Sequence, residues 1–349
     1  MYLHALSLAV PEARYTQADC WEMFSRSAAR ERLSRRSQIL ARAILTGDSG
    51  IQTRHFAAPH LERIFDCTPD ELNEIFRREA PRLAGRALTG ALEQAGLRSG
   101  DVDALLISTC TGYLCPGLTS YVAEQLGLRR DAFLQDLVGL GCGAAIPTLR
   151  AASAIVREQP QAVVACLSVE VCSAAFYLDD DPGVLISACL FSDGAAATIW
   201  RGTPGPHALA CDTFRTWHEP ELRDQLRFEQ RNGKLRNLLA PTVPQVAAGA
   251  VQRLFAAETS NGHRPLARIL AHPGGRDVIS AIEAALPERR LDDTRDTLRH
   301  FGNMSSPTVL FALDHALHET RPAAEADWWL VSFGAGFAAH SCRFGVRTT

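Results

Sequence analysis

The chain has 349 residues, 46% of them hydrophobic and 21% charged, and its 36 Lys and Arg against 39 Asp and Glu leave a net charge of −3. That balance belongs to a folded protein with a large core and excludes a disordered tail, a fibre or a low-complexity chain. So small a charge offers no electrostatic sink for nucleic acid, and no apolar run approaches the ~20 residues that span a bilayer.

The opening MYLHALSLAVPEARYTQ has no basic leader, and His4, Ser7 and Pro11 interrupt its apolar run, so it reads as a first strand and not as a signal peptide. Residues 12–98 read as helical, with one helix over 19–45 and a second over 70–97. In the second, Leu72, Ile75, Phe76, Leu83, Ala87, Leu88 and Leu92 recur at three- and four-residue steps and mark one buried face. From residue 102 the pattern changes. Short apolar strands at 102–110, 132–141, 161–170 and 195–200 alternate with helices at 118–128 and 143–159, which predicts a parallel sheet covered on both faces. The C-terminal part follows the same scheme. A strand at 266–273 is followed by helices at 275–287 and 306–319, the latter with Pro307 near its start, and two strands about Gly334 and Gly336 close the chain. The reading is an α/β protein of two related halves, 1–201 and 202–349, without a residue-level repeat. A stretch rich in Pro, Gly and charge at 201–244 bridges the halves and covers a site.

Ten cysteines form no C-x-x-C pair, and the nearest two, Cys110 and Cys115, have the wrong spacing for a zinc knuckle or a thioredoxin-type motif. Reduced thiols in a cytoplasmic protein are expected, with every cysteine but Cys142 packed as a small hydrophobe. Cys142 lies in LVGLGCGAAIP, where a strand turns into a helix and Gly139, Gly141 and Gly143 permit a tight turn. A thiol at a helix N-terminus is favoured as thiolate, with a pKa roughly 1–5 units below its free value. The alternative is a buried cysteine in a tight turn, and this segment alone does not separate the two. His272 ends a strand before Pro273, Gly274 and Gly275, a position that faces a cleft. Asn303, in HFGNMSSPTV, precedes a helix, where asparagine is ordinarily a cap. Taken together, the three offer a nucleophile, a base or ion-pair partner, and an amide donor, each at the end of an element.

GLGCGAA, LAHPGGRDVI, FGNMSSPTVLFALD and LFSDGAAA resemble the type III polyketide synthases, the chalcone synthase-like branch of the thiolase superfamily, in consistent order over most of the chain. The resemblance implies a thiolase-like, layered α-β-α-β-α fold of two duplicated halves and a homodimer. It places Cys142, His272 and Asn303 on the family's catalytic positions and Phe191 on a gating phenylalanine. Phe228 falls near a second gate position in a more divergent segment, Ser305 matches a pocket-lining serine, and Cys110 replaces a threonine of the pocket wall. Where plant members hold coenzyme A phosphates with basic residues, this chain offers Arg42 and Arg54 but has Asp48 in place of a lysine.

The implied reaction needs no cofactor beyond its substrates, an acyl-CoA starter and malonyl-CoA, with an acyl carrier protein as a second donor of the starter. Cys142 takes the starter, malonyl-CoA is decarboxylated to an enolate, the enolate attacks the acyl–cysteine, and rounds of extension end in cyclisation, to an alkylpyrone or alkylresorcinol on family grounds. The nearest rival is a ketoacyl-carrier-protein synthase III-like enzyme that condenses once; the HPGG and GNMSS wording and the phenylalanine of LFSDG favour the iterative enzyme. A non-catalytic, thiol-rich binding protein is the rival from another class.

Overall fold

The computed structural model describes residues 1–206, 208–259, 264–286 and 289–347. The first elements are β1 (Tyr2–Ala9), β2 (Arg14–Thr16), α1 (Gln17–Arg26), α2 (Ala28–Glu31), α3 (Arg35–Thr46), β3 (Thr53–His55), α4 (Pro69–Ala95), β4 (Ala104–Ser108), α5 (Leu118–Leu126), β5 (Phe133–Leu137), α6 (Ala145–Glu158), β6 (Val164–Glu170), α7 (Pro182–Leu190) and β7 (Gly194–Arg201). There follow β8 (Leu209–His218), β9 (Leu226–Arg231), β10 (Lys234–Leu239), α8 (Val243–Thr259), β11 (Leu266–Ala271), α9 (Arg276–Ala285), α10 (Asp292–Phe301), α11 (Thr308–Glu319), β12 (Asp327–Gly334) and β13 (Ala338–Val346).

The single helix expected over 19–45 is three. Ser27 leaves the helical region (ψ 143°) and closes α1, and the Ser34 side chain caps α3 by accepting the N–H of Ser37. Serine competes for nearby backbone groups, so it starts and stops helices more readily than it continues them. The second expected helix forms as α4. Thr68 and Glu71 make a capping box, Pro69 takes the first turn, and Gly96 ends the helix in the left-handed region (φ 66°). Its predicted apolar face packs on β1 and β7.

The sheet corrects the all-parallel expectation. Nine strands run in the order β11-β12-β13-β8-β1-β7-β6-β4-β5. β4 is parallel to β5 and β6, and β11 to β12, whereas β7 and β13 run antiparallel to both of their neighbours. In both parts of the chain the first strand pairs antiparallel with the last (β1 with β7, β8 with β13), and the last pairs antiparallel with the strand before it (β6, β12). That strand in turn is parallel to the second strand its part gives to the large sheet (β4, β11). The two parts meet at one pairing, Tyr2 with Ala210, and at the hydrogen bond from Cys211 N to Met1 O (3.0 Å). By the same correspondence α6, which leads into β6, matches α11, which leads into β12.

Strand alternation sorts the apolar side chains into layers. In β12, Trp328 and Leu330 join the helices α6 and α11 in one cluster, while Trp329, Val331 and Phe333 join α8 and α9 in another. In β6, Val164 and Cys166 face α6, while Ala165, Leu167 and Val169 face α4. Two layers of strands thus alternate with three of helices, and α6 and α11 lie in the middle.

The stretch 201–244 is more ordered than a bridge needs to be: β9 and β10 form a hairpin in which Phe228 lies opposite Asn237. All ten cysteines are free thiols, but Cys67 and Cys110 are half-buried and Cys115 is exposed, against the expectation that they pack in the core. Among the described residues no helix is long and apolar enough to cross a membrane.

Candidate active site

The elbow before α6 is a short turn, Gly141–Gly143, with Gly141 at φ 56°. The end of β12 lies directly against it. A Cβ at Gly334 would stand 3.0 Å from Cys142 N and closer still to Leu140 O and Gly143 N, so only glycine permits this approach. Ser332 Oγ donates to Gly143 O (2.9 Å) and pins the same contact. Cys142 is thereby held with 8% of its surface exposed.

The second elbow, before α11, meets the first through side chains. Ser305 Oγ donates to Cys142 Sγ (3.1 Å) and lies 3.2 Å from Cys110 Sγ. A hydroxyl has one proton, so with that proton on Cys142 the Cys110 thiol donates to Ser305, and the chain of donors points at Cys142. Ser305 sits at φ 60°, a left-handed conformation that costs roughly 1–2 kcal/mol in a non-glycine residue. It is held there because its N–H donates to Asn303 Oδ1 (2.8 Å). Asn303 Nδ2 donates to Gly274 O (2.8 Å), two residues beyond His272, which leaves its second N–H for a ligand. The His272 ring packs edge-on against Phe333 (centroids 5.2 Å apart), and its Nδ1 has no hydrogen-bond partner among the described residues.

Phe191 and Asn303 form a parallel backbone bridge: Asn303 N donates to Leu190 O (3.0 Å) and Ser192 N to Asn303 O (2.8 Å). Phe191 and Phe228 line one recess of about 320 Å³ with Thr111, Cys172, Phe176 and Asn237. Cys142, Cys110, Ser305 and Asn303 are thus joined by hydrogen bonds, Phe191 joins them through its bridge to Asn303, Phe228 through the shared recess, and His272 stands two residues before the Gly274 carbonyl that Asn303 holds. The structure also supplies two carboxylates that the sequence pattern does not single out. Glu170, wholly buried at the end of β6, accepts from Thr109 Oγ1, Cys110 N, Thr111 N, Thr111 Oγ1 and Ser306 Oγ, tying the Cys110 turn to the Ser305 turn. Asp193, equally buried, accepts from Ala57 N, Ser173 N and Ser173 Oγ. An acid closing the apolar run VVACLSVE is the signal that could have found Glu170.

Burial dominates the electrostatics. It pushes the Cys142 thiol up to about 12; the Ser305 hydrogen bond opposes this and the charge of Glu170 adds to it. It pushes the His272 imidazole down to about 3. The lowered thiol pKa expected at a helix N-terminus is therefore reversed, and the resting site holds a neutral thiol and a neutral imidazole. Burial also raises Glu170, against its hydrogen bonds, and lifts Asp193 to about 6. The expected coenzyme A contacts divide: Arg42 is exposed, Asp48 pairs with Arg276 (3.4 Å), and Arg54 is buried and faces inward.

Residues 8–206 match the family model described as FAE1/Type III polyketide synthase-like protein, and residues 222–342 match the C-terminal domain of chalcone and stilbene synthases. The chain is 29% identical to the 1,3,6,8-tetrahydroxynaphthalene synthase of Streptomyces peucetius subsp. caesius, over 96% of this chain and 90% of that one. It is 30% identical to the 3,5-dihydroxyphenylacetyl-CoA synthase of Streptomyces toyocaensis, over 79% and 75%. The crystal structure of 1,3,6,8-tetrahydroxynaphthalene synthase from Streptomyces coelicolor A3(2) superposes with a TM-score of 0.87 at 25% identity, over the full length of both chains. The fold is thus thiolase-like, and the protein an acyltransferase. The chain belongs to the type III polyketide synthase family, whose reaction is the iterative decarboxylative condensation of malonyl-CoA onto an acyl starter, followed by cyclisation.

The hydrogen bond to the thiol and the buried acid each have a measurable effect. In Ser305→Ala the thiol loses its donor, so alkylation of Cys142 by iodoacetamide at pH 8 slows several-fold, read by mass spectrometry of the Cys142 peptide. The buried acid acts through pH. His272, depressed from 6.5 to about 3, makes stability fall as pH drops through that interval. Asp193, raised from 3.8 to about 6, makes stability fall as pH rises through its own interval, so the two oppose each other between about pH 4 and 6. Asp193→Asn removes the opposing slope, and its stability to urea falls more steeply than wild type from pH 6 to pH 4, by up to ~1.4 kcal/mol per pH unit. Equal slopes would return Asp193 to an ordinary carboxyl.

Proposed function

We propose that Cys142, His272 and Asn303 are the catalytic residues of this synthase. The observation that carries the reading is the hydrogen-bonded path from Gly274 through Asn303 and Ser305 to Cys142, which joins two elbows remote in sequence. As a thioester arrives, the His272 imidazole takes the Cys142 proton, the sulfur attacks the acyl carbon, and the carrier thiol leaves with that proton. The Ser305 hydroxyl steadies the sulfur as it gains charge. Malonyl-CoA then takes the vacated cleft. Its carboxylate leaves as CO₂ against the apolar face of Phe191 and Phe228, and the free N–H of Asn303 and the His272 ring, in the tautomer that turns its N–H to the site, hold the enolate oxygen. Preorganised donors of this kind are worth ~2.7–4 kcal/mol each. The enolate carbon attacks the acyl–cysteine, and the lengthened chain returns to Cys142.

The relatives are named for 1,3,6,8-tetrahydroxynaphthalene, 3,5-dihydroxyphenylacetyl-CoA and phloroglucinol, each with a polyhydroxylated aromatic ring and the second still carried as a coenzyme A thioester. The recess lined by Phe191, Phe228, Thr111 and Asn237 is where such a product, built from a short starter, would lie. A long-chain starter, and with it an alkylpyrone or alkylresorcinol, is the second reading. It is favoured by a second cavity with an apolar wall that includes Phe24, Phe65, Leu178 and Leu185, and that shares Phe176 and Ala188 with the first. Purified protein incubated with malonyl-CoA and short, long and carrier-bound starters, with mass spectrometry of the products, decides between them. In the same assay Cys142→Ala forms no acyl–enzyme and no polyketide yet still releases CO₂ from malonyl-CoA, and Asn303→Ala loses decarboxylation ~10²-fold. Full-length product from Cys142→Ala would remove the nucleophile.

We also propose a homodimer through β5. It is an edge strand paired only with β4, and Phe133, Leu134 and the following Val138 are 53%, 39% and 52% exposed, an apolar edge that monomers avoid. Sedimentation of the wild type as a dimer, and of Phe133→Asp as a monomer, is expected; a monomeric wild type would rule it out.

A further inference from the structure

Arg54 is 2% exposed, and among the described residues no carboxylate pairs with it. A buried cation without a counter-charge is costly, so what surrounds it matters. Its Nη1 donates to Ala188 O (2.8 Å) and Phe191 O (3.0 Å), the carbonyls at the C-terminal end of α7, where the helix dipole is negative. The guanidinium lies over the Phe56 ring (5.0 Å), and its Nε has no acceptor. The stem touches the other side of the site. A Cβ at Gly302 would come within 3.0 Å of Arg54 Cγ, and this glycine, at φ 69°, immediately precedes Asn303.

From this arrangement we infer that Arg54 is the positioning residue of the decarboxylating half of the site: one buried cation sets the backbone from which both the Phe191 ring and the Asn303 amide project. The two residues share the backbone bridge, so a shift of the Phe191 carbonyl moves both. Cys142 stands on the other elbow, its backbone fixed by Gly334 and Ser332, and Arg54 reaches it only indirectly, through Asn303 and Ser305. Loss of the guanidinium therefore impairs decarboxylation selectively. A displacement of about 1 Å at a reacting centre can cost ~10²-fold in rate.

The inference rests on the roles assigned to Phe191 and Asn303, and the test separates the two. Arg54→Met, Arg54→Lys, Phe191→Ala and Asn303→Ala are compared with wild type in two assays on the full-length protein: acylation of Cys142 by a starter acyl-CoA, and release of CO₂ from malonyl-CoA. Arg54→Met is expected to lose at least ~10-fold in decarboxylation while acylation stays within about threefold, and Arg54→Lys, which keeps the charge and a donor, to recover most of that loss. Parallel loss of both steps, no loss in either, or a lysine variant no better than methionine overturns the assignment. Should Arg54→Met not fold, Arg54→Gln reads the same ratio: a selective loss of decarboxylation supports the assignment, and a parallel loss or none overturns it. Phe191→Ala and Asn303→Ala with undiminished decarboxylation would instead overturn the roles on which it rests, whatever Arg54 does.

Discussion

The approach of two backbones, at Gly334 and at the Leu140–Gly143 turn, is the constraint on which the site depends. A strand end from the C-terminal part lies flat against the turn that presents the thiol, and no side chain fits between them. Everything else follows from this seam. It buries Cys142, brings Ser305 within reach of its sulfur, and sets the Phe333 ring, next to Gly334, against His272. Stability and chemistry here have a common cause, because the apolar cluster that holds α6 and α11 together also fixes the elbows at their starts.

Dryness of this kind has an electrostatic side. Burial works against both charged forms of the thiol–imidazole couple and leaves each neutral at rest. In the proposed mechanism, charge is then created only when an electrophile is present to absorb it. The Ser305 hydroxyl, fed by Cys110, and the free amide hydrogen of Asn303 wait at the places where that charge appears. They are oriented beforehand by bonds that make no contact with substrate, so little reorganisation is left for the moment of reaction.

Much of this is legible in the sequence. Cys142, His272 and Asn303, the proposed catalytic residues, stand at element ends marked by glycine and proline, and a 3.6-residue period draws α4 almost to its ends. The glycine-rich wording around Cys142 and Asn303 suffices for the family. Strand direction is not legible, because a continuous apolar run signals burial on both faces and is silent about the sense in which its neighbours run; β7 and β13 are antiparallel for that reason. The break of the first helix at Ser27 and Ser34 is hidden because serine is tolerated in helices as well as at their ends. Arg54 reads in the sequence as a surface phosphate ligand, since its burial depends on Phe56 and on α7, more than 120 residues away, which no local pattern reveals. The sign of the Cys142 shift is lost in the same way: the local helix end argues for a thiolate, and the surrounding core outweighs it.

The strand correspondence between the two parts of the chain has one further consequence. α6 and α11 occupy matching places, and the turns at their starts meet where Ser305 Oγ reaches Cys142 Sγ, so the positive ends of two helix dipoles lie near one point. Negative charge arising there meets a field written in the main chain, which no exchange of a single side chain can erase. Substitutions in the surrounding wall are free to reshape what is assembled, while the capacity to forge carbon–carbon bonds is inherited with the architecture itself.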